Sequence, residues 1–266
     1  MYLDPRPARA ELATIYPDTY HAFSFTEDNF GLVYRVRRWL EARRLLAACG
    51  TLPADAVILD VGCGDGFHLD LLREYGPPGW RLEGVDLDPR AADAAVARGL
   101  VVHRGSIEDL ELQADRYDFA ILVQTIEHVA DPAVVLRAIR RVLRPGGRVL
   151  VVTDNTGSVD FTIAKRRHWG GYHFPRHWYL FDERSLRRLA AHTRLSVDSL
   201  DTMVSPVNWV YSLRNALDDW GAPRPLVDWL SLESPIPLAA FTVFDWLHQR
   251  AGRAALLRAV LRREAE

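Results

Sequence analysis

The chain has little cysteine and no long stretch without charge. Its 266 residues include two cysteines, Cys49 and Cys63, which are too few for the disulfide framework of a small secreted domain. The longest charge-free stretches, 202–213 and 234–244, are shorter than the roughly 20 apolar residues of a membrane-spanning helix. The first residues lack the basic start and apolar core of a signal peptide. We therefore expect a cytoplasmic protein without an integral membrane segment.

A strong charge of either sign is also missing. The formal net charge is −2, so the chain as a whole produces no field that would attract nucleic acid or an anionic membrane. We expect no nucleic-acid partner. With 48% hydrophobic residues over 266 positions, the chain can bury one sizeable core and carry a small appended lobe.

Residues 56–66, AVILDVGCGDG, predict a buried strand that leads into a glycine-rich turn. A helix is predicted over 67–75, so its free N–H groups would point back at the turn. The turn contains three glycines, Gly62, Gly64 and Gly66. Glycine tolerates positive φ and lets the backbone approach a ligand.

The spacing of these glycines distinguishes two kinds of ligand. A dinucleotide site prefers GxGxxG, whereas here the third glycine comes one residue early and Phe67 takes its place. Asp60, near the strand end, is poorly suited to a pyrophosphate and suits a ligand with an ammonium group. A nicotinamide oxidoreductase is therefore disfavoured.

Strand-like and helix-like stretches alternate from residue 55 to residue 152. The apolar strand-like stretches are 56–61, 81–85, 100–103, 117–123 and 148–153. Two intervening helices, 89–98 and 132–143, begin with an Asp-Pro pair that fits an N-cap followed by proline at the first helical position. This alternation predicts an α/β fold with a parallel sheet and helices on both faces. In such sheets the ligand lies at the carboxyl ends of the strands.

Four further stretches follow the glycine turn in order: 81–86 (RLEGVD), 105–110 (GSIEDL), 117–129 (YDFAILVQTIEHV) and 143–152 (LRPGGRVLVV). Together with the turn, they resemble the motifs of class I S-adenosylmethionine-dependent methyltransferases over roughly residues 55–200. The segment HWGGYHFPRHWYLF resembles the aromatic and histidine-rich segment of the members that act on small molecules and on sugars or quinones.

The resemblance implies a Rossmann-like seven-stranded, mostly parallel sheet with an antiparallel last strand. It implies S-adenosylmethionine as cofactor and S-adenosylhomocysteine as its product. The implied cofactor site consists of Asp60, Gly62, Cys63, Gly64, Asp86, Leu87, Ser106, Ile107 and Gln124. Asp86, twenty residues after Gly66, is at the usual distance for a carboxylate that accepts ribose hydroxyls, and Ser106 stands where the family commonly has an acid. Four of these residues fall at strand carboxyl ends, which independently supports one shared site.

The chain divides into three predicted parts. Residues 1–50 form an N-terminal arm and helical cap, with a loose arm over 1–15 and a helix over 32–48. Residues 51–204 form the cofactor-binding core, with a substrate loop at 154–181. Residues 205–266 form a helical insertion and a closing strand at 255–263, although the composition of that last stretch also allows a helix.

Two segments are open to more than one interpretation. An aromatic cluster in the arm is either a packed cap or a lid over the cofactor; it contains Tyr16, Tyr20, Phe23, Phe25 and Phe30. The insertion at 205–253 is predicted to contain short amphipathic helices separated by turns. Four roles are open for these helices: structural packing, a wall of the substrate pocket, a homodimer interface or an interfacial membrane contact.

Transfer of a sulfonium methyl requires alignment and the exclusion of water but no metal, so we expect no metal site. A hydroxyl acceptor must lose a proton, which histidine is well matched to accept at neutral pH. His173 and His177 in the substrate loop are the candidate bases, with His168 behind them, unless these side chains only hydrogen-bond the loop. His128 is expected to pack near the cofactor.

The sequence thus predicts methyl transfer to a hydroxyl of a small molecule or of a sugar- or quinone-like acceptor. Arg176 and the backbone at Gly170 and Gly171 are candidates to bind an acceptor oxygen or carboxylate. Two alternatives stay open: N-methylation of a small amine, and a non-catalytic module that keeps the cofactor-binding fold.

Overall fold

The computed structural model describes residues 1–3, 15, 27–165 and 167–265, and for residues 27–33 it describes the backbone alone. The predicted aromatic cluster of the arm therefore lies outside the described side chains. Most of the predicted loose arm lies outside the described residues as well.

Seven strands form one sheet. They are β1 (Val57–Val61), β2 (Arg81–Asp86), β3 (Val101–Arg104), β4 (Tyr117–Val123), β5 (Leu143–Asp154), β6 (Ser196–Met203) and β7 (Leu256–Arg262). The strands lie in the order β3-β2-β1-β4-β5-β7-β6. β1 to β5 pair in parallel, and β7 runs antiparallel between β5 and β6. The predicted Rossmann-like architecture is confirmed, and the closing stretch is a strand rather than a helix.

Helices lie on both faces of this sheet and in the segment before β7. They are α1 (Glu27–Cys49), α2 (Phe67–Tyr75), α3 (Pro89–Ala97), α4 (Pro132–Val142), α5 (Val159–Ala164), α6 (Glu183–His192), α7 (Pro206–Asp219), α8 (Arg224–Trp229) and α9 (Pro235–Gln249). The predicted Asp-Pro starts are confirmed. Asp88 accepts the N–H of Arg90 at 2.9 Å, and Asp131 accepts that of Ala133 at 2.8 Å.

Both faces of the central strands are buried because successive side chains point to opposite sides of a strand. Leu59 and Leu122 belong to the hydrophobic cluster on one face, whereas Ile58 and Ile121 belong to the cluster on the other. All four are completely buried, and each such burial stabilises the fold by about 1.5–3 kcal/mol. The carboxyl ends of β1 and β4 are therefore rigid points from which a site can be built.

The structure differs from the sequence-based prediction at three places. α1 begins at Glu27, five residues before the predicted start at 32. β5 begins at Leu143, because the Pro-Gly-Gly stretch forms an irregularity in its pairing with β4 rather than a turn before the strand. Residues 1–3 are not loose: the N–H of Leu3 donates to the carbonyl of Trp178 at 2.8 Å, and that of Leu180 donates to Met1 at 2.9 Å.

The segment between β6 and β7 contains three helices, α7 to α9. It is held to the sheet by Asp245, a completely buried carboxylate of α9. This carboxylate accepts the backbone N–H groups of Ser205 and Ala255 at 2.9 and 3.2 Å and the indole N–H of Trp209 at 3.1 Å. The two ends of the insertion are thus fixed next to each other. None of the described helices is both long and apolar enough to cross a membrane.

Candidate active site

The glycine turn after β1 contains two glycines that pack against neighbouring side chains, Gly62 and Gly66, and one that faces open space. Gly62 and Gly64 have φ of 76° and 56°, values that side chains disfavour. A Cβ on Gly62 would lie 2.6 Å from the side chain of Thr125, so this glycine lets the turns after β1 and β4 approach each other. A Cβ on Gly64 would meet no described atom within 4 Å. The open side of the turn is therefore at Gly64.

Asp86, at the end of β2, holds this turn. One carboxylate oxygen accepts the N–H of Gly64 at 2.7 Å, and the other accepts that of Asp88 at 2.8 Å. Burial raises the pKa of Asp86, while these two backbone donors counteract the effect. Each carboxylate oxygen keeps a second lone pair. Asp86 thus combines a structural role in the turn with the capacity to accept ribose hydroxyls.

Asp60 and His68 form a second pair beside the turn. Asp60 is 1% exposed, and its Oδ2, which has no hydrogen-bond partner among the described residues, lies 3.5 Å from Nδ1 of His68. Burial by itself would lower the pKa of His68, but the nearby carboxylate of Asp60 outweighs burial and raises it. The pair offers a carboxylate and an imidazole beside the turn, groups that can bind an amino group and a carboxylate of a ligand.

Sequence reasoning missed His68. Its position in the first turn of α2, directly after the glycine turn, is the signal that would have found it, because side chains there lie beside the ligand.

The other predicted cofactor residues divide into two groups. Cys63 and Ile107 are buried in the core, and burial raises the pKa of the Cys63 thiol. Only the backbone of these two residues is available to a ligand. Leu87 and Gln124 are exposed, and Gln124 has a φ of 50°. Ser106 donates from its hydroxyl to Asp109 at 2.7 Å, so an acid lies next to the serine that stands at the position of the usual acid.

The predicted substrate loop brings three histidines together, which we call the histidine cluster: His128, His173 and His177. The ring centroids of His128 and His177 are 4.6 Å apart, and those of His173 and His177 are 5.2 Å apart. His168 does not join them, because its Nε2 lies 3.1 Å from a carboxylate oxygen of Asp219. His128 therefore lies among the candidate bases, a position that its place after β4 did not predict.

His177 is fixed in the interior by two oxygen atoms. It is 5% exposed, and its Nδ1 lies 2.9 Å from the carbonyl oxygen of Gly171 and 3.3 Å from Oδ2 of Asp154. Burial and the nearby His128 and His173 lower the pKa of His177 to about 2. The ring is therefore neutral. Since a carbonyl oxygen can only accept, Nδ1 bears the proton and Nε2 has the free lone pair.

Asp154, the last residue of β5, is 3% exposed. Its Oδ1 accepts the amide N–H of Asn208 in α7 at 2.7 Å. Burial raises the pKa of Asp154, and Asn208 opposes this effect. The insertion is thereby linked to His177 through one carboxylate.

Glu127 precedes His128 in the turn after β4 and lies beside the histidine cluster. Glu127 is 0% exposed; its Oε2 accepts the hydroxyl of Thr153 at 2.9 Å, and its Oε1 has no hydrogen-bond partner. Burial and the nearby Asp154 raise the pKa of Glu127. His128 Nδ1 lies 3.1 Å from the carbonyl oxygen of Arg176, and burial lowers the pKa of His128 to about 4.

Two sequence-based candidates for acceptor binding are already engaged within the protein. The N–H of Gly170 donates to the hydroxyl of Ser212 at 2.8 Å, and the carbonyl of Gly171 faces His177. The side chain of Arg176 donates to the carbonyl of Ile15 at 3.0 Å. These backbone groups and Arg176 hold the loop in place.

Comparison with known proteins identifies the family to which this sequence is similar. The sequence profile of a methyltransferase domain family matches residues 34–200. The ubiquinone biosynthesis O-methyltransferase of Xanthomonas oryzae pv. oryzae is 34% identical over 118 residues, which are 42% of this chain and 48% of that protein. Its counterpart from Cereibacter sphaeroides is 30% identical over 177 residues, 59% of this chain and 67% of that protein. The chain thus matches about half the length of the Xanthomonas relative.

Solved structures give the same fold. A complex of the Trm112 methyltransferase activator with a methyltransferase from Haloferax volcanii contains a similar chain, with a TM-score of 0.60 at 20% identity over 86% of this chain and 92% of that one. Phosphoethanolamine N-methyltransferase 2 from Haemonchus contortus, in complex with S-adenosyl-L-methionine, gives a TM-score of 0.57 at 19% identity over 86% of this chain and 53% of that one.

Proposed function

We propose that this chain, which belongs to the class I S-adenosylmethionine-dependent methyltransferases, methylates a hydroxyl group of a small molecule or of a sugar- or quinone-like acceptor. Oxygen is favoured as the acceptor atom because the two curated relatives reported above are O-methyltransferases of ubiquinone biosynthesis. The histidine cluster supports the same choice, since a hydroxyl must lose a proton and an imidazole can accept it.

The cofactor-binding part of this proposal rests on the turn after β1. Asp86 accepts the ribose hydroxyls, and the open space at Gly64 admits the ligand. Asp60 accepts the amino group of the amino-acid end, and His68 donates to its carboxylate. Gln124 and Leu87 line the exposed rim, and Ser106 and Ile107 lie on the adenine side. The cofactor supplies an electrophilic methyl group on a sulfonium, so the protein has to align the acceptor, exclude water and remove one proton.

We assign the proton acceptor to His173, with His177 as the alternative. His173 is exposed whereas His177 is buried, so His173 is the one that an acceptor can reach directly. Desolvation by the surrounding protein and the charge of Arg176 lower the pKa of His173, which keeps its ring neutral and able to accept a proton at physiological pH.

The surroundings of His173 suit a planar acceptor. The rings of Tyr172 and Phe174 stack at 5.2 Å, and Tyr211 of α7 meets His173 edge-on at 5.8 Å. Aromatic side chains of this kind bind planar apolar groups through their faces. Their position favours the interpretation of α7 as part of a substrate wall. A homodimer through the insertion at 205–253 stays a separate prediction, to be checked by sedimentation.

The observation that supports O-methylation best is the position of the histidine cluster beside the turn after β4, next to the cofactor turn. The test is a single-turnover assay with methyl-labelled cofactor and paired acceptors that differ only in a phenolic hydroxyl or an amine. We expect label on oxygen and little on nitrogen. Label on the amines alone would favour the N-methyltransferase alternative, and cofactor binding without transfer to any acceptor would favour the non-catalytic module.

A further inference from the structure

We propose that a cleft at the amino ends of the strands binds a small anion that carries two or more phosphate groups. The cleft has a volume of about 640 Å³ and is formed by the ends of α4 and α6 together with residues that flank β4 and β7. This volume is within the range of small-molecule sites. The seven residues of β4 separate the cleft from the turn after that strand by roughly 20 Å, so the cleft is distinct from the candidate active site.

The first argument is the charge of the lining. Five of the nine residues that line the cleft are arginines and one is an acid: Arg137, Arg140, Arg141, Arg194, Arg263 and Asp115. We call this surface the basic cleft. Even with Arg140 left out, and with Glu264, the acid that follows Arg263 in the chain, counted in, four positive charges face two negative ones.

The partners of these arginines leave most of the charge uncompensated. Arg141 donates to the carbonyls of Leu110 and Leu112 at 3.1 and 3.3 Å, and a carbonyl dipole does not cancel a full charge. Arg137 and Arg194 are exposed, and their side chains have no hydrogen bond or ion pair within the part of the chain that the structure describes. A concave surface with an excess of one charge attracts ligands of the opposite charge.

The second argument is the unused edge of the Arg263 guanidinium. Its Nη1 pairs with Asp115 and donates to the carbonyl of Leu143 at 2.6 Å. Its Nε is buried and has no hydrogen-bond partner among the described residues. A buried donor without an acceptor is unfavourable. An anion oxygen that enters the cleft beside Arg263 compensates this donor.

Two neighbouring arginines show what such an edge binds. Nε and Nη2 of Arg258 donate to the two carboxylate oxygens of Asp201 at 2.9 and 2.6 Å. The same two nitrogens of Arg262 donate to the carboxylate of Asp198 at 2.9 and 2.7 Å. Phosphate oxygens fit this planar fork as carboxylate oxygens do. The edge of Arg263 is therefore suited to one phosphate group.

The remaining cations call for more than one phosphate group. Arg137 and Arg194 come from α4 and from the segment between α6 and β6, so they add positive charge from two further sides of the cleft. A second phosphate on the same ligand places negative charge near them. The ligand is a small molecule, because the chain as a whole has a net charge of −2 and produces no field for a long polyanion such as nucleic acid.

The test is a calorimetric titration of the full chain with inorganic pyrophosphate. S-adenosylhomocysteine is present at saturation, so that the active site is occupied. We expect one pyrophosphate per chain, bound at least about tenfold more tightly than inorganic phosphate because a second charged contact is made, and bound more weakly as NaCl is raised. A parallel titration with ADP separates two sources of the diphosphate group. Equal affinity assigns recognition to the phosphates alone, tighter binding of ADP adds the nucleoside, and both support the cleft.

Two variants remove different parts of the basic cleft. Arg263→Lys keeps the charge and loses the fork, so pyrophosphate binding should weaken about tenfold. The double variant Arg137→Gln/Arg194→Gln leaves Arg263 in place and should weaken binding at least about fivefold. It also tests the cleft if Arg263→Lys does not fold, because both of its side chains are exposed.

A matched control removes the same charge outside the cleft. Arg43 and Arg250 are exposed and stack on Trp39 and Trp246 at 4.7 and 4.4 Å from the ring centroids. Arg43→Gln/Arg250→Gln changes the net charge by the same amount as the double variant of the cleft and should leave pyrophosphate binding unchanged. Near-ultraviolet circular dichroism and affinity for S-adenosylhomocysteine report whether each variant is folded.

The outcomes are independent of the proposed methylation. If the wild-type chain binds no pyrophosphate at millimolar concentration, or if the cleft variants bind it as the wild type does, the phosphate site is wrong and the O-methylation proposal is untouched. The site is also wrong if the control variant loses as much affinity as the double variant of the cleft, since binding would then follow net charge alone. If pyrophosphate binds as expected while only amines are methylated, the phosphate site stands and the proposed function fails.

Discussion

Two carboxylate–histidine groups lie on the same edge of the sheet and differ in their electrostatics. At the glycine turn, Asp60 lies 3.5 Å from Nδ1 of His68, and its charge raises the pKa of that histidine. In the histidine cluster, Nδ1 of both His128 and His177 faces a backbone carbonyl, and Asp154 also lies 3.3 Å from that of His177, yet burial lowers the pKa of both rings. The first group places a carboxylate beside a histidine whose pKa is raised, which suits a ligand that carries both charges. In the second group the pKa of each ring is lowered, which suits acceptance of a proton.

The two groups also differ in how they are assembled. The glycine turn, Asp60 and His68 belong to one continuous segment of β1, turn and α2. The histidine cluster draws on the turn after β4, the end of β5, the loop before residue 178 and Asn208 in the insertion. Changes in the first group should therefore affect cofactor affinity alone, and changes in the second should affect turnover alone.

The largest effect is expected for Gly64→Val. A branched side chain at Gly64 would fill the open space of the turn, so cofactor affinity measured by calorimetry should fall by at least about 100-fold, or ~2.7 kcal/mol. Gly146→Val is the control, because Gly146 also has a positive φ and open space around its Cβ but lies near the amino end of β5, away from the carboxyl ends of the strands. It should lose similar stability and keep full affinity. Normal binding by Gly64→Val would place the cofactor elsewhere.

His173→Ala tests the second group. Loss of a general base typically lowers the rate by about 10²- to 10⁴-fold, so single-turnover methylation should fall by that order while cofactor affinity stays constant. The residual rate should rise with pH as the acceptor ionises by itself. His168→Ala, which removes the histidine that pairs with Asp219, should keep the wild-type rate. If His173→Ala, His177→Ala and the double variant all retain full turnover, alignment alone would account for catalysis.

Asp86→Ala is expected to have a smaller effect on the first group. Removing a charged acceptor of hydroxyl hydrogen bonds should weaken cofactor binding by about 2 kcal/mol, roughly 30-fold. Some of this loss comes from the turn, since Asp86 also accepts the N–H of Gly64. Asp93→Ala, on the exposed side of α3, should change affinity little. Unchanged affinity in Asp86→Ala by calorimetry would remove Asp86 from the site.

The smallest effect is expected for Asn208→Ala. It removes the amide that donates to Asp154 at 2.7 Å, so thermal denaturation should show a loss of about 1 kcal/mol. Turnover should fall several-fold, because Asp154 then holds His177 less firmly, while cofactor affinity stays the same. Asn215→Ala on the same helix, which loses an exposed contact to His168, is the matched control. Equal rates in the two variants would show that the insertion does not influence the cluster.

The contrast between the groups also explains what could be predicted from the sequence. The glycine turn and the Asp-Pro helix starts involve residues close together in the chain and were predicted from them, whereas the seven-stranded sheet with its antiparallel last strand was predicted from the family resemblance. His68 was missed although it lies within that same local segment. His173 and His177 were predicted as candidates because both lie in the loop that follows β5 and histidine is suited to accept a proton at neutral pH.

The environment of those histidines was not predictable in the same way. Asn208 lies 54 residues after Asp154, and His128 lies 48 residues before Arg176, so no local spacing indicates either contact. The hydrogen bonding of a buried side chain cannot be read from the sequence either. Glu127 stands in the sequence as an ordinary acid before a histidine, and only the packing around it shows that one of its oxygens is left without a partner.

A crystal structure with S-adenosylhomocysteine tests the central claim, that the glycine turn binds the cofactor and presents its sulfur to the histidine cluster. We predict ribose hydroxyls within hydrogen-bond distance of Asp86, the amino-acid end beside Asp60 and His68, and the sulfur on the side that faces His173. Binding at another surface, or a sulfur directed away from the cluster, would contradict this division of roles.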